Sequence, residues 1–486
     1  MEVALSYDHR TAVTSSLEGS TMDFATNLQR APVSFRGRVK EPLLMRQLMG
    51  ALHEVILNDS RWLSDEDYAL TLDPVITVHP DQLFFEAFSN DESSYARLSA
   101  PLDAFEPEGV VNYGTTNIDF TWQLRAALSE LRSSRRTLFG VGAGGFGVTT
   151  VGTAKGTKVH FERKVDLPES WLKGFLQVQG ALAMRPFTFD VRPVDLLSMI
   201  AFFEENKPPR HGAHAVRYEF RPGEPISIVL EPWEKRFTLK GTHYEGYERA
   251  VRLWGRRRLS LLRNVLPYAE RVTLGVLGRG LPHFYICHCG GYQFTLLLSG
   301  WSRNDWATGS AFDLMASNET ISPATVARVY RFLSEHLIAS RSQMAEEIAL
   351  EKAEIEHALF QLCRSGRVTW DPTIRCYRLR ELFAEPIDMD ALFTPDPRVE
   401  HAQQLADQGN VTITHILPPA ENPRGETKVE AEVIPNTSTP YKVIVAMDDD
   451  QRIRFGQCEC PFFQEHIMGR GPCEHILAVR FALQKK

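Results

Sequence analysis

QCECPFFQEHIMGRGPCEH, residues 457–475, holds three of the seven cysteines in a chain of 486 residues, with a histidine beside the last of them. Cys458, Cys460, Cys473 and His475 form two short clips, C-x-C and C-x-H, joined by a loop. Zinc takes four ligands in a tetrahedron and accepts both thiolate and imidazole. A pair at i and i+2 can serve if the backbone turns between its members, and Gly456 and Pro461 flank the first clip as such a turn requires. Gly469 and Gly471 let the loop bring the second clip round. Pro472 suits the first turn of a helix, where its missing N–H is no loss. EHILAVRFALQKK then continues with Ile476, Val479 and Leu483 on one face. Cys473 is thereby placed at a helix N-terminus, where partial positive charge favours a thiolate. Three thiolates around Zn²⁺ leave one net negative charge, which the dipole and Arg454 or Arg470 can offset. Four idle residues in a small domain would not need paired spacing, and His466, inside the loop, lacks the frame of the second clip. With every position filled by protein, no site is left for water, so the expected single Zn²⁺ is structural and not catalytic.

Upstream, YKVIVAMDDDQRIRFGQ (441–457) reads as strand, Asp-rich turn, strand, which makes the order β-β-knuckle-helix. C-x-C-x(n)-C-x-H behind a β-hairpin resembles the SWIM zinc finger, and PYKVIVAMDDDQRIRFGQCECPFFQEHIMGRGPCEHILAVRFAL (440–483) is similar to that family throughout. CECPFF and GPCEHILA stand where the family places its clips, so the resemblance carries the zinc ligands onto Cys458, Cys460, Cys473 and His475. SWIM fingers occur in chromatin remodellers, transposases and signalling proteins, and the resemblance implies binding of protein or DNA. The arginine-rich segment and LSGWSRNDW (298–306) also resemble bacterial SWIM-finger proteins that accompany a MoxR-type AAA+ ATPase and a von Willebrand A-domain protein.

SPATVARVYRFLSEHL (322–337) opens with a Ser-Pro helix start. SQMAEEIAL (342–350) and EIEHALFQLCRSG (354–366) follow at helix-turn-helix spacing, and RVTWDPTIRCYRL (367–379) reads as two strands around Asp371-Pro372. Three helices and a hairpin resemble a winged helix over 321–382. Its third helix, however, leads with Glu351, Lys352, Glu354 and Glu356, and carboxylates facing a phosphate-lined groove are repelled. The segment therefore suits protein docking better than DNA.

The remaining expectations are coarser. Residues 1–30 are Ser/Thr-rich and weakly patterned, and read as a tail or one loose strand. Residues 31–320 read as one or two α+β domains. Helices are expected at 41–57, 119–135, 167–183, 192–207 and 247–267, and strands at 74–88 around a turn at His79–Asp81 and again from 271 to 298. Helix followed by strands, twice, hints at a weak duplication. Residues 383–395, acidic and proline-broken, read as a linker to a zinc-finger domain at 396–486. The fold class is thus multidomain α+β.

Three further signals have a sharp reading and a bland one. Six arginines fall in 248–263, and on a helix Arg249, Arg252 and Arg256 form a single stripe. The stripe either contacts phosphates or is a solvated face. FGVGAGGFGVTT (139–150) holds G-x-G-x-x-G, yet a dinucleotide site needs a strand before it and a helix after it, and the neighbours read the other way round. A glycine-rich β-turn is the better account. CHCGG (287–291) reads as two small apolar residues on a buried strand face, not half of a second metal site.

A net charge of −7 and a pI of about 6.1 argue against a bulk nucleic-acid coat. No run approaches the ~20 apolar residues of a membrane span. The N-terminus lacks a leader's basic and apolar regions, and an odd, irregularly spaced cysteine count suits the reducing cytoplasm. No nucleophile with an identifiable base appears, so no enzyme is expected. The expected function is a zinc-holding adaptor that binds another protein, with a DNA-binding regulator as the alternative.

Overall fold

A computed structural model describes most of the chain. Residues 58–73, 119–127, 143–160, 208–213, 301–305, 307–313, 316–320 and 384–395 fall outside the described residues, as do short stretches elsewhere, several of them within the first thirty-one positions. Most of the expected helix at 119–135, most of LSGWSRNDW, the second half of the glycine-rich stretch and nearly all of the expected linker lie there. Among the described residues no helix is long and apolar enough to cross a membrane.

The first thirty residues are not a tail. Glu2–Tyr7 pairs antiparallel with Phe161–Asp166, and Gly19–Phe24 runs parallel to Arg136–Val141. The latter pair belongs to a five-stranded sheet whose order is Ala12–Ser15, Gly19–Phe24, Arg136–Val141, Phe35–Val39, Phe105–Pro107. Phe24, Phe35, Phe105 and Phe139 interlock there with ring centroids 5.1–6.2 Å apart. The strand Arg136–Val141 also takes in the start of the glycine-rich stretch.

The centre of the molecule is an eight-stranded antiparallel sheet. Its order is Phe187–Val191, Arg271–Val276, His283–Cys289, Tyr292–Leu298, Ser94–Pro101, Gln82–Phe88, Val75–Val78, Gly114–Asn117. The inner strands read as largely apolar runs because both faces are covered. Strand side chains alternate between faces, and the alternation divides two cores. Leu83, Phe85, Ala96, Leu98, Tyr285, Cys287 and Leu296 enter the first core. Phe88, Tyr95, Phe284, Ile286 and Leu297 enter the second. Cys287 and Cys289 thus lie in the first core, and burial raises both thiols, Cys289 to about 12. Helix α1 (Pro42–Leu57) helps close the first core with Leu44, Leu48, Leu52 and Val55 on one stripe. The second takes α2 (Glu169–Ala183) through Phe175, Leu176 and Val178. Helix α3 (Pro193–Glu205) adds Leu196, Met199 and Ile200 to the first.

The expected helix at 247–267 is instead a strand, Arg249–Leu253, followed by a 3-10 helix, Arg256–Leu262. The strand pairs with Val216–Phe220, and Gly255, at φ 86°, turns the chain between the two elements. The three arginines therefore share no stripe. Arg249 lies over Phe187 and Phe220 at 4.8 and 4.7 Å. Arg252 pairs with Glu231 at 2.9 Å, while Arg256 is buried, donates to the Glu231 carbonyl and stacks on Trp233. The suspected repeat loses its second helix. Both halves still contribute strands to one sheet, which meet where Tyr292–Leu298 pairs with Ser94–Pro101.

Residues 322–379 form α4 (Pro323–His336), the short strand Ile338–Ala339, α5 (Arg341–Ile348), α6 (Lys352–Arg364) and the strands Val368–Asp371 and Cys376–Leu379. Ser322 and Ser340 cap their helices through the N–H groups of Thr325 and Gln343. Val329, Leu333, Met344, Ile355, Leu359 and Val368 form a separate small core. The acids at the head of α6 turn inward or close on themselves. Glu351 and Glu354 form a capping box. Glu356 is buried and pairs with Arg341 at 3.1 Å and with Arg452. The hairpin docks on the eight-stranded sheet through charge: Arg378 bridges Asp371 and Asp81 at 2.8 and 2.7 Å, Arg97 meets Asp371 at 3.2 Å, and Arg380 meets Glu86 at 3.2 Å.

The C-terminal module begins with α7 (Pro397–Asp407), capped by Asp396. Four antiparallel strands follow in sequential order, Val411–Leu417, Thr427–Val433, Tyr441–Met447 and Ile453–Cys458. A short helix α8 (Pro461–His466) and the long α9 (Glu474–Gln484) end the chain. Helices α7 and α9 pack together, with Ala402, Leu405, Ile476 and Val479 buried.

Candidate metal centre

The last strand delivers Cys458, and the chain leaves it through Cys460 directly into α8. Pro461 is the first residue of that helix and Cys460 its N-cap, so the first clip is a strand-to-helix corner and not a free turn. The corner also builds hydrogen bonds onto sulfur. The Cys460 N–H donates to Cys458 Sγ and the Phe463 N–H to Cys460 Sγ, each at 3.4 Å. Such donors favour thiolates and fix their direction.

Gly456 has a different task from the expected one. It sits within the strand, where a Cβ would stand 2.8 Å from Ile476 Cδ1 and 3.1 Å from Met468 Sδ. It lets α9 and the knuckle loop approach the sheet closely. Gly471, at φ 79°, supplies the turn that returns the chain to the second clip. Pro472 stands just outside α9. Cys473 immediately precedes the helix, and its carbonyl accepts from Leu477 N–H at 3.1 Å.

The four predicted ligands converge. One donor atom from each of Cys458, Cys460, Cys473 and His475 lies within 4.8 Å of all the others, and all four residues are buried. Donors about 2.3 Å from a tetrahedral zinc stand roughly 3.8 Å apart, so the set is sized for one such ion. His466, at the end of α8, is not among them. Two observations fit a metal better than a packed core. Neither ring nitrogen of the buried His475 has a hydrogen-bond partner among the described residues, and an imidazole so placed is costly unless it ligates. Three buried thiols also crowd together. Hydrogen bonding with Cys458 and Cys473 draws Cys460 far down, while those from Cys458 and Cys460 push Cys473 far up. Three sulfurs crowded into one buried site repel as thiolates, and a bound zinc ion offsets that charge. The centre holds one structural zinc ion, with no position left open for a reacting water.

Reading the sequence missed the support around the site. Arg398, on the first turn of α7, donates to the carbonyls of Arg470 and Pro472 at 2.9 and 3.0 Å. Asp396 holds its guanidinium at 2.5 and 2.9 Å, and Phe462 lies 4.8 Å beneath it. The loop before Cys473 is thus clamped by a helix more than sixty residues upstream. Tyr441 packs edge-on against His475, with centroids 4.9 Å apart. The sequence reading places Asp396 only as the start of the last domain, with no helix there and no role for Arg398.

The module is seated in the molecule and not hung from it. Its residues Val443, Cys458, Cys473 and Ile476 share the second core with Phe88, Phe175 and Trp306. Arg452, in the turn before the last strand, donates to the Ala183 carbonyl at the end of α2 at 3.2 Å as well as pairing with Glu356 of α6. The fully buried Arg480 of α9 donates to the Leu314 carbonyl at 3.0 Å.

Among solved structures the chain is similar to proliferating cellular nuclear antigen from Entamoeba histolytica, at 12% identity and a TM-score of 0.35 over 55% of this chain and 98% of that one. It is also similar to A. fulgidus PCNA bound to the C-terminal region of FEN-1 (12% identity, TM-score 0.34, 54% and 97% covered) and to the PCNA2-PCNA3 complex from Sulfolobus tokodaii (10%, 0.34, 54% and 98%). Superpositions this loose carry no argument. No curated protein matches the chain. Residues 441–483 match the family model described as SWIM zinc finger, and the four converging side chains lie in that segment: this part of the chain is a SWIM-type zinc finger built on one structural zinc ion.

Proposed function

We propose that the chain is a non-enzymatic cytoplasmic adaptor whose zinc-held module and winged-helix-like segment bind another protein. One observation carries the choice of protein over DNA. In a winged helix the third helix reads the groove, and here that helix, α6, is engaged within the molecule. Its Glu356 is 3% exposed and neutralised by Arg341 and Arg452, and its Leu359 and Leu362 are buried. Arg249, Arg252 and Arg256, which form no phosphate-binding stripe, are likewise distributed among Glu231, aromatic rings and the core. The partner class implied by the resemblance is an AAA+ ATPase or a von Willebrand A-domain protein.

The test is isolation of the tagged full-length chain from its own cells, with Cys473→Ser as control, alongside retention on duplex DNA over a salt series. Recovery of an ATPase or von Willebrand A-domain protein with the wild type alone supports the proposal. Salt-steep DNA retention that Arg252→Ala flattens, with no protein recovered, supports the DNA-binding regulator instead.

A further inference from the structure

The four-stranded sheet of the zinc module has two faces, and only one is closed by helices. Val429, Ala431, Val443 and Val445 turn toward α9 and the second core. The alternate residues Lys428, Ile444 and Ala446 turn the other way, and with Phe455 they floor a cavity of about 460 Å³. Its opposite wall is the strand Arg249–Leu253, Tyr247 just before it, and the hairpin tip Leu277–Arg279. Two separate parts of the chain therefore build one concave site, within the roughly 300–1,000 Å³ that small-molecule sites occupy.

The lining is chemically one-sided. Arg249, Arg279, Lys428 and Arg454 face it against one carboxylate, Glu426. Lys428 is engaged by Glu430 at 2.7 Å. Arg249 is held over aromatic rings, yet its Nε has no hydrogen-bond acceptor among the described residues. Arg279, exposed at the tip between Gly278 and Gly280, makes no ion pair among the described residues. Aromatic surface lies beside this charge: Tyr247 and Phe455 are 38% and 41% exposed. Partly exposed rings beside guanidinium groups that outnumber the carboxylate facing them match a flat apolar body bearing an anionic group, which arginine recognises by paired hydrogen bonds and rings by stacking.

We propose that this cavity is a binding site for a small organic anion, a planar apolar body carrying a phosphate, sulfonate or carboxylate. It lies on the face of the module opposite the core packed by α9, so its floor needs the zinc-folded module but not the proposed partner.

The experiment uses the zinc-loaded full-length protein and two dyes with one body, 8-anilinonaphthalene-1-sulfonate and the uncharged N-phenyl-1-naphthylamine. The expected result is one saturable sulfonate-dye site per chain, on the order of tenfold tighter than for the uncharged dye, and displaced by adenosine 5′-monophosphate. Arg279→Glu and Phe455→Ser, both at exposed positions, each weaken it by a similar factor. Arg331→Glu, on α4 and outside the cavity, leaves it unchanged. Equal affinity for the two dyes, unsaturable binding, or equal weakening by Arg279→Glu and Arg331→Glu overturns the proposal.

Discussion

Replacing Glu356 by alanine tests how the zinc module is seated. This carboxylate accepts from Arg341 of α5, from Arg452 of the zinc module and from the Tyr377 hydroxyl at 3.3 Å. Their surroundings differ. The Arg341 side chain is 28% exposed and can turn to water, whereas that of Arg452 is 6% exposed. Glu356→Ala therefore takes the paired carboxylate away from one buried guanidinium, which also donates to the Ala183 carbonyl. Removing one partner of a buried pair costs about 3–5 kcal/mol, and with Arg341 released to solvent the lower half of that range applies. Arg452→Met leaves Glu356 paired to Arg341 and should cost less, about 1–2 kcal/mol. Glu356→Leu combined with Arg452→Met replaces charge by apolar contact and should return most of the loss. Urea denaturation followed by far-UV circular dichroism reads all three, and Glu356→Ala combined with Arg452→Met closes a double-mutant cycle with the two single changes. A cost below about 1 kcal/mol for Glu356→Ala, or strictly additive effects, refutes the view that this ion pair joins α6 to the module.

Further outcomes follow from the same geometry. Elemental analysis should return one zinc per chain, and chelation or Cys458→Ser should remove hydrogen-exchange protection from 441–483 and from α2, because they share a core. Arg398→Ala should weaken zinc binding on the order of tenfold by freeing the loop before Cys473, measured by competition with a chelating dye. Burial, then the nearby Arg378, lowers His79 to about 4, and its Nε2–H donates to the Leu379 carbonyl at 2.7 Å. The unfolded chain therefore binds this proton first. The resulting stability is complete above pH ~6.5 and is lost as pH falls toward 4, about 3 kcal/mol in all. His79→Gln should flatten that limb of a stability–pH curve; an unchanged slope between pH 6.5 and 4 excludes His79 as its source.

Local signals carried most of what could be read beforehand. The four zinc ligands were legible because two clips and a following amphipathic helix lie within one short stretch. Helix α1, the turn at His79–Asp81, the strands from 271 to 298 and the helices α4 to α6 were legible for the same reason: period and punctuation are written within each element. The strands of the first thirty residues were not, since Gly19–Phe24 is ordered by Arg136–Val141, far along the chain. Arg249–Leu253 was misread as helix because arginine and leucine favour helices in isolation, while pairing with Val216–Phe220 decided the matter. The roles of Arg398, Gly456 and Glu356 depend on what packs against them, and no spacing encodes that.

The eight-stranded sheet has an implication for how this chain can vary. Odd and even positions of the same strand belong to different interiors, so sliding any central strand by one residue would exchange their contents. Neither side is wet enough to forgive the swap. Single-residue insertions or deletions within Gln82–Phe88 or His283–Cys289 should be lethal to folding, whereas length changes at an exposed hairpin tip, such as Gly290–Gly291, should be borne.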